Sequence, residues 1–258
     1  MTLRYRILLA LILSAFVSFG HTATTAEAEP DSQPEPTANN SDTAPTQFRN
    51  IYKARAYGFG ITVTHSLERT EDNQFKLRFF ADSMLASIEE TSLFTWPEAN
   101  GLLIPQEYRY QRKGLGRNRE AHLVFDWEAM KVTNNVENKP WKMAIDHGIL
   151  DKVSFQIQLQ HDLLAGKDQL NYAIADGGHV KEYTFEILGE ERLDTPLGEI
   201  DTLKIKRSRK DSDRVTYAWM APDYQYLLVR MQQEEDGDTY TIYIHEAEIN
   251  GKAIKSFE

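Results

Sequence analysis

Five stretches decide the fold: Tyr183-Thr-Phe-Glu-Ile187, Leu203-Lys-Ile-Lys206, Val215-Thr-Tyr-Ala-Trp219, Leu227-Leu-Val-Arg-Met231 and Tyr240-Thr-Ile-Tyr-Ile244. In each, apolar and polar residues broadly alternate, and Gly, Pro or Asp turns separate them. A period of two sends successive side chains to opposite faces of a strand, so each stretch can bury one face and wet the other. Repeated from Leu170 to Ile249, the pattern predicts a large antiparallel sheet.

Working outward, Asp176-Gly-Gly178 and Asp236-Gly237 supply the positive backbone angles of tight hairpins. Gly114 to Asn118 separates two more candidates, Tyr108-Arg-Tyr-Gln-Arg-Lys113 and Ala121-His-Leu-Val-Phe125. Phe75 to Asp82 alternates clearly and Ile88 to Trp96 more weakly. From Ile51 to Arg69 we expect one long strand, bent at Tyr57-Gly-Phe-Gly60 so that the sheet curls.

One segment fits two periods. Val153, Phe155, Ile157 and Leu159 alternate, whereas Leu150, Val153, Ile157 and Leu164 form a helical face. Asp151 is placed to cap a helix and Gly166 to end it, so a helix covering the concave face of the sheet is predicted. The expected fold is mainly β: a curled antiparallel sheet, barrel or half-barrel, with one principal α-helix packed on it.

The N-terminus has a different purpose. Arg4 and Arg6 precede an apolar run from Ile7 to Phe19 and then small residues, the layout of a secretory signal peptide, taken here as residues 1–23. The run is about 13 residues, short of the roughly 20 that a spanning helix needs. No second apolar stretch of that length follows, so no transmembrane segment is expected in the mature protein, which is expected in the periplasm. Residues 24–47 hold four of the nine prolines among polar and acidic residues. They read as a disordered acidic tether, because they bury too little to offset the entropy of ordering. Residues 48–258 form the single domain.

Cysteine is absent, which removes disulfides, thiolate nucleophiles and Cys-based zinc sites. Setting aside Arg4, Arg6 and the acidic residues at 27, 29, 31, 35 and 42, the domain carries 34 acidic and 27 basic residues, a net charge of −7. That balance disfavours nucleic acid as a partner, since phosphate binding needs cationic patches. No nucleophile elbow, phosphate loop or His-Glu-x-x-His helix is present, and no cofactor or metal is expected.

Phe125-Asp-Trp127, Gly148-Ile-Leu-Asp151 with Ser154, Thr195-Pro-Leu-Gly198, and Trp219-Met-Ala-Pro222 with Tyr226-Leu-Leu-Val-Arg230 resemble the signposts of the DUF3108 family. Those are exported bacterial proteins without an assigned biochemical function. The resemblance runs from about Ile51 to Ile249, implies an antiparallel β domain with a helix and a periplasmic address, and transfers no catalytic residues. The Leu-Leu after Tyr226 stands where a proline is expected in many relatives, a departure that bears only on a turn.

Candidate binding residues are Trp127, Trp219, Tyr108, Tyr110 and Tyr226, as aromatics that could line a concave pocket. Tyr108 with Tyr110, and Tyr224 with Tyr226, are expected to share strand faces by their i, i+2 spacing. The expected function is a non-catalytic binding module for an apolar or amphipathic envelope ligand, a lipid among them. A deep apolar cavity would support it and a packed interior would count against it. Two alternatives stand beside it: a module that docks another envelope protein through a strand edge, and a hydrolase with a site near Asp151, Ser154 and His161. For Ser154 a structural role, fixing the first turn of the helix, is favoured. His245 and Glu246 are expected to point to opposite faces, and Asp236-Gly-Asp238 lacks the ligands of an EF-hand.

Overall fold

The structure, a computed structural model, describes residues 44–56, 59–97, 101–114, 116–136, 139–176, 178–209 and 212–257. The expected signal peptide and residues 24–43 of the expected tether lie outside the described residues. The first half of the domain is an up-and-down run of eight strands: β1 (Phe48–Ala56), β2 (Phe59–Arg69), β3 (Phe75–Ser83), β4 (Ala86–Thr95), β5 (Ile104–Gly114), β6 (Arg119–Asp126), β7 (Lys131–Val136) and β8 (Lys139–Ala144). One helix, α1 (Phe155–Leu164), interrupts the run. Seven strands follow: β9 (Leu170–Asp176), β10 (His179–Thr195), β11 (Gly198–Arg209), β12 (Ser212–Ala221), β13 (Leu227–Glu235), β14 (Asp238–Ile249) and β15 (Lys252–Ile254).

All of them join one antiparallel sheet in the order β8-β7-β6-β5-β4-β3-β2-β1-β14-β13-β12-β11-β10-β9, with β15 added on β14. The two halves meet where β1 pairs with β14, Phe48 opposite Ile249. Every other neighbour pair is sequential, so simple hairpins build the sheet. At Asp236-Gly237 both residues have positive φ, 52° and 81°, as the type I′ turn between Glu235 and Asp238 requires.

Alternation is carried through to burial. Every second residue of β4 from Ala86 to Phe94 is buried, and β3 repeats the pattern from Phe75 to Ala81. Directly opposed interior residues form rows across the strands, such as Leu67, Leu77, Ser92, Tyr108, Leu123, Asn134 and Trp141. The largest apolar cluster unites this face with α1 and β9–β12, including Phe94, Leu103, Ile157, Leu163, Ile174 and Ile205. A second gathers around Tyr52, Val63, Phe79 and Ile244 and takes in the C-terminal Phe257.

The sheet curls without closing. Its edges are β8 and β9, and the edges approach through a side chain: Trp141 of β8 lies so close to the turn after β9 that a Cβ on Gly178 would sit 1.6 Å from its ring. Between β8 and α1, Leu150 runs beside β9, its N–H donating to Ala173 O and its carbonyl accepting from Ala175 N, both at 2.8 Å. Thus the chain enters the interior through the slit between the edges and then forms the helix.

The expected curled sheet with one principal helix is observed, but two details differ. Ile51 to Arg69 is two strands of a hairpin, with Ala56 opposite Phe59, not one bent strand. Gly60 therefore lies just past a turn, and glycine spacing alone does not separate a bend from a reversal. The last residues of the expected tether also touch the sheet: Gln47 O accepts from Asn250 N at 2.9 Å, Gln47 Oε1 accepts from Arg69 N at 3.1 Å, and Thr46 bonds Gln225 through its side chain.

Candidate functional site

Two features on opposite sides of α1 compete as the functional site: a buried polar knot at its start and a cleft at its end. The knot is set by the turn Asp151–Ser154. Asp151 Oδ1 accepts from the N–H groups of Val153 and Ser154 at 2.9 Å each, and Ser154 Oγ accepts from Asp151 N at 3.0 Å. This mutual capping holds the turn that leads into Phe155, so Ser154 has the structural role expected of it. Asp151 Oδ2 in turn accepts from the Ser92 hydroxyl at 2.5 Å, tying the turn to β4.

Beside them, Tyr108 OH donates to Glu90 Oε2 at 2.6 Å, while Lys152 Nζ lies 3.8 Å from Asp176 Oδ1 and Lys181 Nζ 2.7 Å from Asp176 Oδ2. Glu90 has no solvent exposure, and its Oε1 has no partner. Burial pushes the Glu90 carboxyl up to about 7, against the pull of Lys152 and the Tyr108 hydroxyl and with the push of Asp176 and Asp151. Asp151 is also raised by burial, against four hydrogen bonds. Three acids thus share this region with two lysines, and burial makes the Glu90 carboxyl hold its proton more tightly than a free one.

The knot does not assemble the proposed hydrolase site. Asp151 and Ser154 come together, but His161 lies seven residues along α1, about 10 Å away at the helical rise. There its ring packs on Trp96, centroids 4.8 Å apart, and its Nδ1 lies 3.5 Å from Asp162 Oδ1. Ser154 has no exposure and caps a turn, so the serine–base–cleft geometry of nucleophilic catalysis is missing. No group of His, Asp and Glu suited to a metal occurs among the described residues.

The second feature is a cleft of about 420 Å³ at the C-terminal end of α1. Its walls are Ala44–Thr46 and Phe48 at the domain's start, Trp96 after β4, Ile157, Gln160, His161 and Leu164 of α1, Tyr224, Gln225 and Leu227 at the corner before β13, and Ile249. Leu164 is 52% exposed and faces this space instead of the core, contrary to the apolar stripe expected of it. The helix is anchored here by Gln158, whose Oε1 accepts from Leu103 N at 2.9 Å and whose Nε2 donates to Gly101 O at 3.0 Å. Asp162 is driven up by burial, but hydrogen bonds from His161, Lys167 and Gln158 outweigh this and hold it below the ordinary carboxylate range.

The five expected binding residues do not converge, and none lines this cleft. Tyr108 is buried in the knot, and Tyr110 shares its face, 5.7 Å from Lys152 Nζ to the ring centre. Trp127 follows β6 and donates to Pro105 O at 2.7 Å, its ring stacked with Phe125 and His147. Trp219 lies on the outer face, opposite Ala218 and Met220, with Arg230 4.3 Å and Lys204 4.7 Å above its ring. Tyr224 ends a short 3-10 turn (Pro222–Tyr224), and Gln225 and Tyr226 have φ of 55° and 54°. Tyr224 and Tyr226 therefore do not share a strand face: the left-handed corner breaks the alternation before β13. Of the cleft's aromatics, Trp96 could be noticed in the sequence as one of four tryptophans, but nothing in its neighbourhood marks it as a wall.

The fold and the cleft define a class: a curled, helix-plugged antiparallel sheet with a recess at its mouth. The chain belongs to the DUF3108 family, described as a protein of unknown function, whose model matches residues 51–245. Among solved structures it is similar to the β-barrel-like protein of domain of unknown function DUF1849 from Brucella abortus, with 9% identity, a TM-score of 0.55, and coverage of 80% of this chain and 99% of that one. That likeness concerns the fold alone. MucB in complex with MucA(peri) is matched at 9% identity over 83% of this chain and 92% of that one, with a TM-score of 0.17, too low to bear on fold or function. No curated protein matches the chain in sequence.

Proposed function

We propose that this is a non-catalytic binding module of the periplasm that holds a small amphipathic envelope ligand in the cleft at the end of α1. The observation that carries the reading is the cleft's composition. A recess of about 420 Å³ is of the size that takes small molecules, and its walls combine Trp96, Phe48, Ile157 and Leu164 with the polar groups of Gln160, His161, Gln225 and Tyr224. Aromatic faces supply contact area and the few amides and hydroxyls supply orientation. Export through the N-terminal signal sequence is part of the same proposal.

The packed interior counts against a carrier with a deep internal cavity, because α1 and the knot fill the space that such a cavity would need. For that reason the proposal puts the binding site at the sheet's mouth and not on its concave face. The reading is tested by native mass spectrometry of the mature protein, purified from the envelope of its own host, before and after organic extraction. A bound small molecule of defined mass, lost on extraction and depleted in Leu164→Arg, is expected. A protein with no bound molecule before extraction would refute the proposal.

A further inference from the structure

We infer that the ligand of this cleft is an uncharged single-chain amphiphile, whose head stays in the cleft and whose tail end passes Gln160 into a second, inner pocket. The inference rests on the binding role proposed above and extends it to the ligand's chemistry. Next to the cleft, α1 and the inner face of β10–β13 line a half-open space of about 70 Å³, with Phe155, Leu159, Ile205, Ala218, Met220 and Leu228 among its walls. Gln160 lines both spaces. Its Nε2 donates to Tyr226 O at 3.1 Å, so one side-chain amide and one corner carbonyl form the partition. On the far side of that corner the chain serves both spaces in turn, Leu227 facing the cleft and Leu228 the pocket.

The two spaces differ in chemistry as the two ends of an amphiphile do. Among the described residues the cleft walls contain aromatic and amide groups, the His161 imidazole and no Asp, Glu, Lys or Arg, so these walls offer a charged head no carboxylate, ammonium or guanidinium as counter-ion. The inner pocket mixes aliphatic side chains and two phenylalanines with polar ones, Gln156, Thr216 and Gln233 among them. Its imidazole, His65, is buried with Nε2 unpartnered and is held neutral by burial. Its guanidinium, Arg207, lies 4.4 Å over the Tyr183 ring and reaches Thr216 Oγ1 at 3.4 Å. A volume of about 70 Å³ takes roughly two or three methylene-sized groups, so only the end of a tail enters.

The test is calorimetric titration of the full-length mature protein with methyl, butyl, hexyl and octyl β-glucosides below their micellar concentrations. Affinity is expected to rise about four-fold for each methylene that passes Gln160 and then to level off. Ala218→Leu, which fills the inner pocket, should flatten the series while leaving the shortest binder unchanged. Gln160→Ala, at a half-buried helix position, should raise the affinity of the long members by removing the partition. A series that binds but does not depend on chain length overturns this inference and leaves the cleft reading standing. Octanoate binding more tightly than octyl glucoside overturns the uncharged head. Binding by no member overturns the inference, and the mass spectrum of the native protein judges the cleft reading separately.

Discussion

Replacing Glu90 by Gln should change how stability depends on pH far more than it changes the fold. Glu90 is fully buried, and its carboxyl rises from an ordinary 4.5 to about 7. Because the folded state binds this proton more tightly than the unfolded chain, the stabilising contribution is complete below about pH 4.5. It is lost as pH rises through about 7. At about 1.4 kcal/mol per pH unit the loss amounts to about 3 kcal/mol. A glutamine keeps an acceptor for Tyr108 OH and cannot ionise, so Glu90→Gln should gain about 3 kcal/mol on wild type between pH 4.5 and pH 8. Urea unfolding at a series of pH values, followed by the fluorescence of the four tryptophans, measures this directly. A stability profile parallel to that of wild type across this range would refute the buried, proton-holding role of Glu90.

His65 should show the opposite slope: burial lowers it from 6.5 to about 4, so its contribution is complete above about pH 6.5 and lost as pH falls toward 4. His65→Phe should remove that acid sensitivity, and the two variants should unmask opposed slopes that largely cancel in wild type between about pH 4.5 and 6.5. Asp151→Ala leaves the Ser92 hydroxyl and two backbone N–H groups without their acceptor and should cost about 3 kcal/mol in urea unfolding, against about 1 for Ser154→Ala. At Gly178, where φ is 93°, a methyl would meet the Trp141 ring, so Gly178→Ala should speed amide exchange in β8 and β9. Adding Trp141→Ala should relieve the clash but not the backbone strain, and a double variant no slower to exchange than Gly178→Ala would refute the contact across the slit.

Tyr108 and Trp219 show where the sequence stops being informative about a site. Both were plausible pocket walls as aromatics on alternating strands. One instead donates to a buried carboxylate, and the other is covered on the outer face by Lys204 and Arg230. A period of two states that two residues share a face, but not which face looks inward once bulges intervene. Here the ladder slips between Trp219 and Met220, and also between Ile51 and Tyr52. Glu90 is a different case: alternation puts it on the face of Ile88, but nothing local shows that a carboxylate on that face is fully buried and meets a tyrosine hydroxyl.

The sequence by itself determined most of the strands, several of their turns and the helix, because backbone alternation, turn chemistry and the Asp151–Gly166 signals act over a few residues; it joined β1 to β2 and gave no sign of β7 and β8. It also carried the family resemblance, through motifs spaced along most of the domain. Only the tertiary structure decided that the sheet stays open, that the chain threads the slit between β8 and β9, and that α1 fills the interior. It alone brought Ala44–Thr46, Phe48, Trp96, the end of α1 and the corner before β13 around one cleft. Those segments are far apart in the chain, and their meeting depends on strand order and curl, which no local pattern encodes.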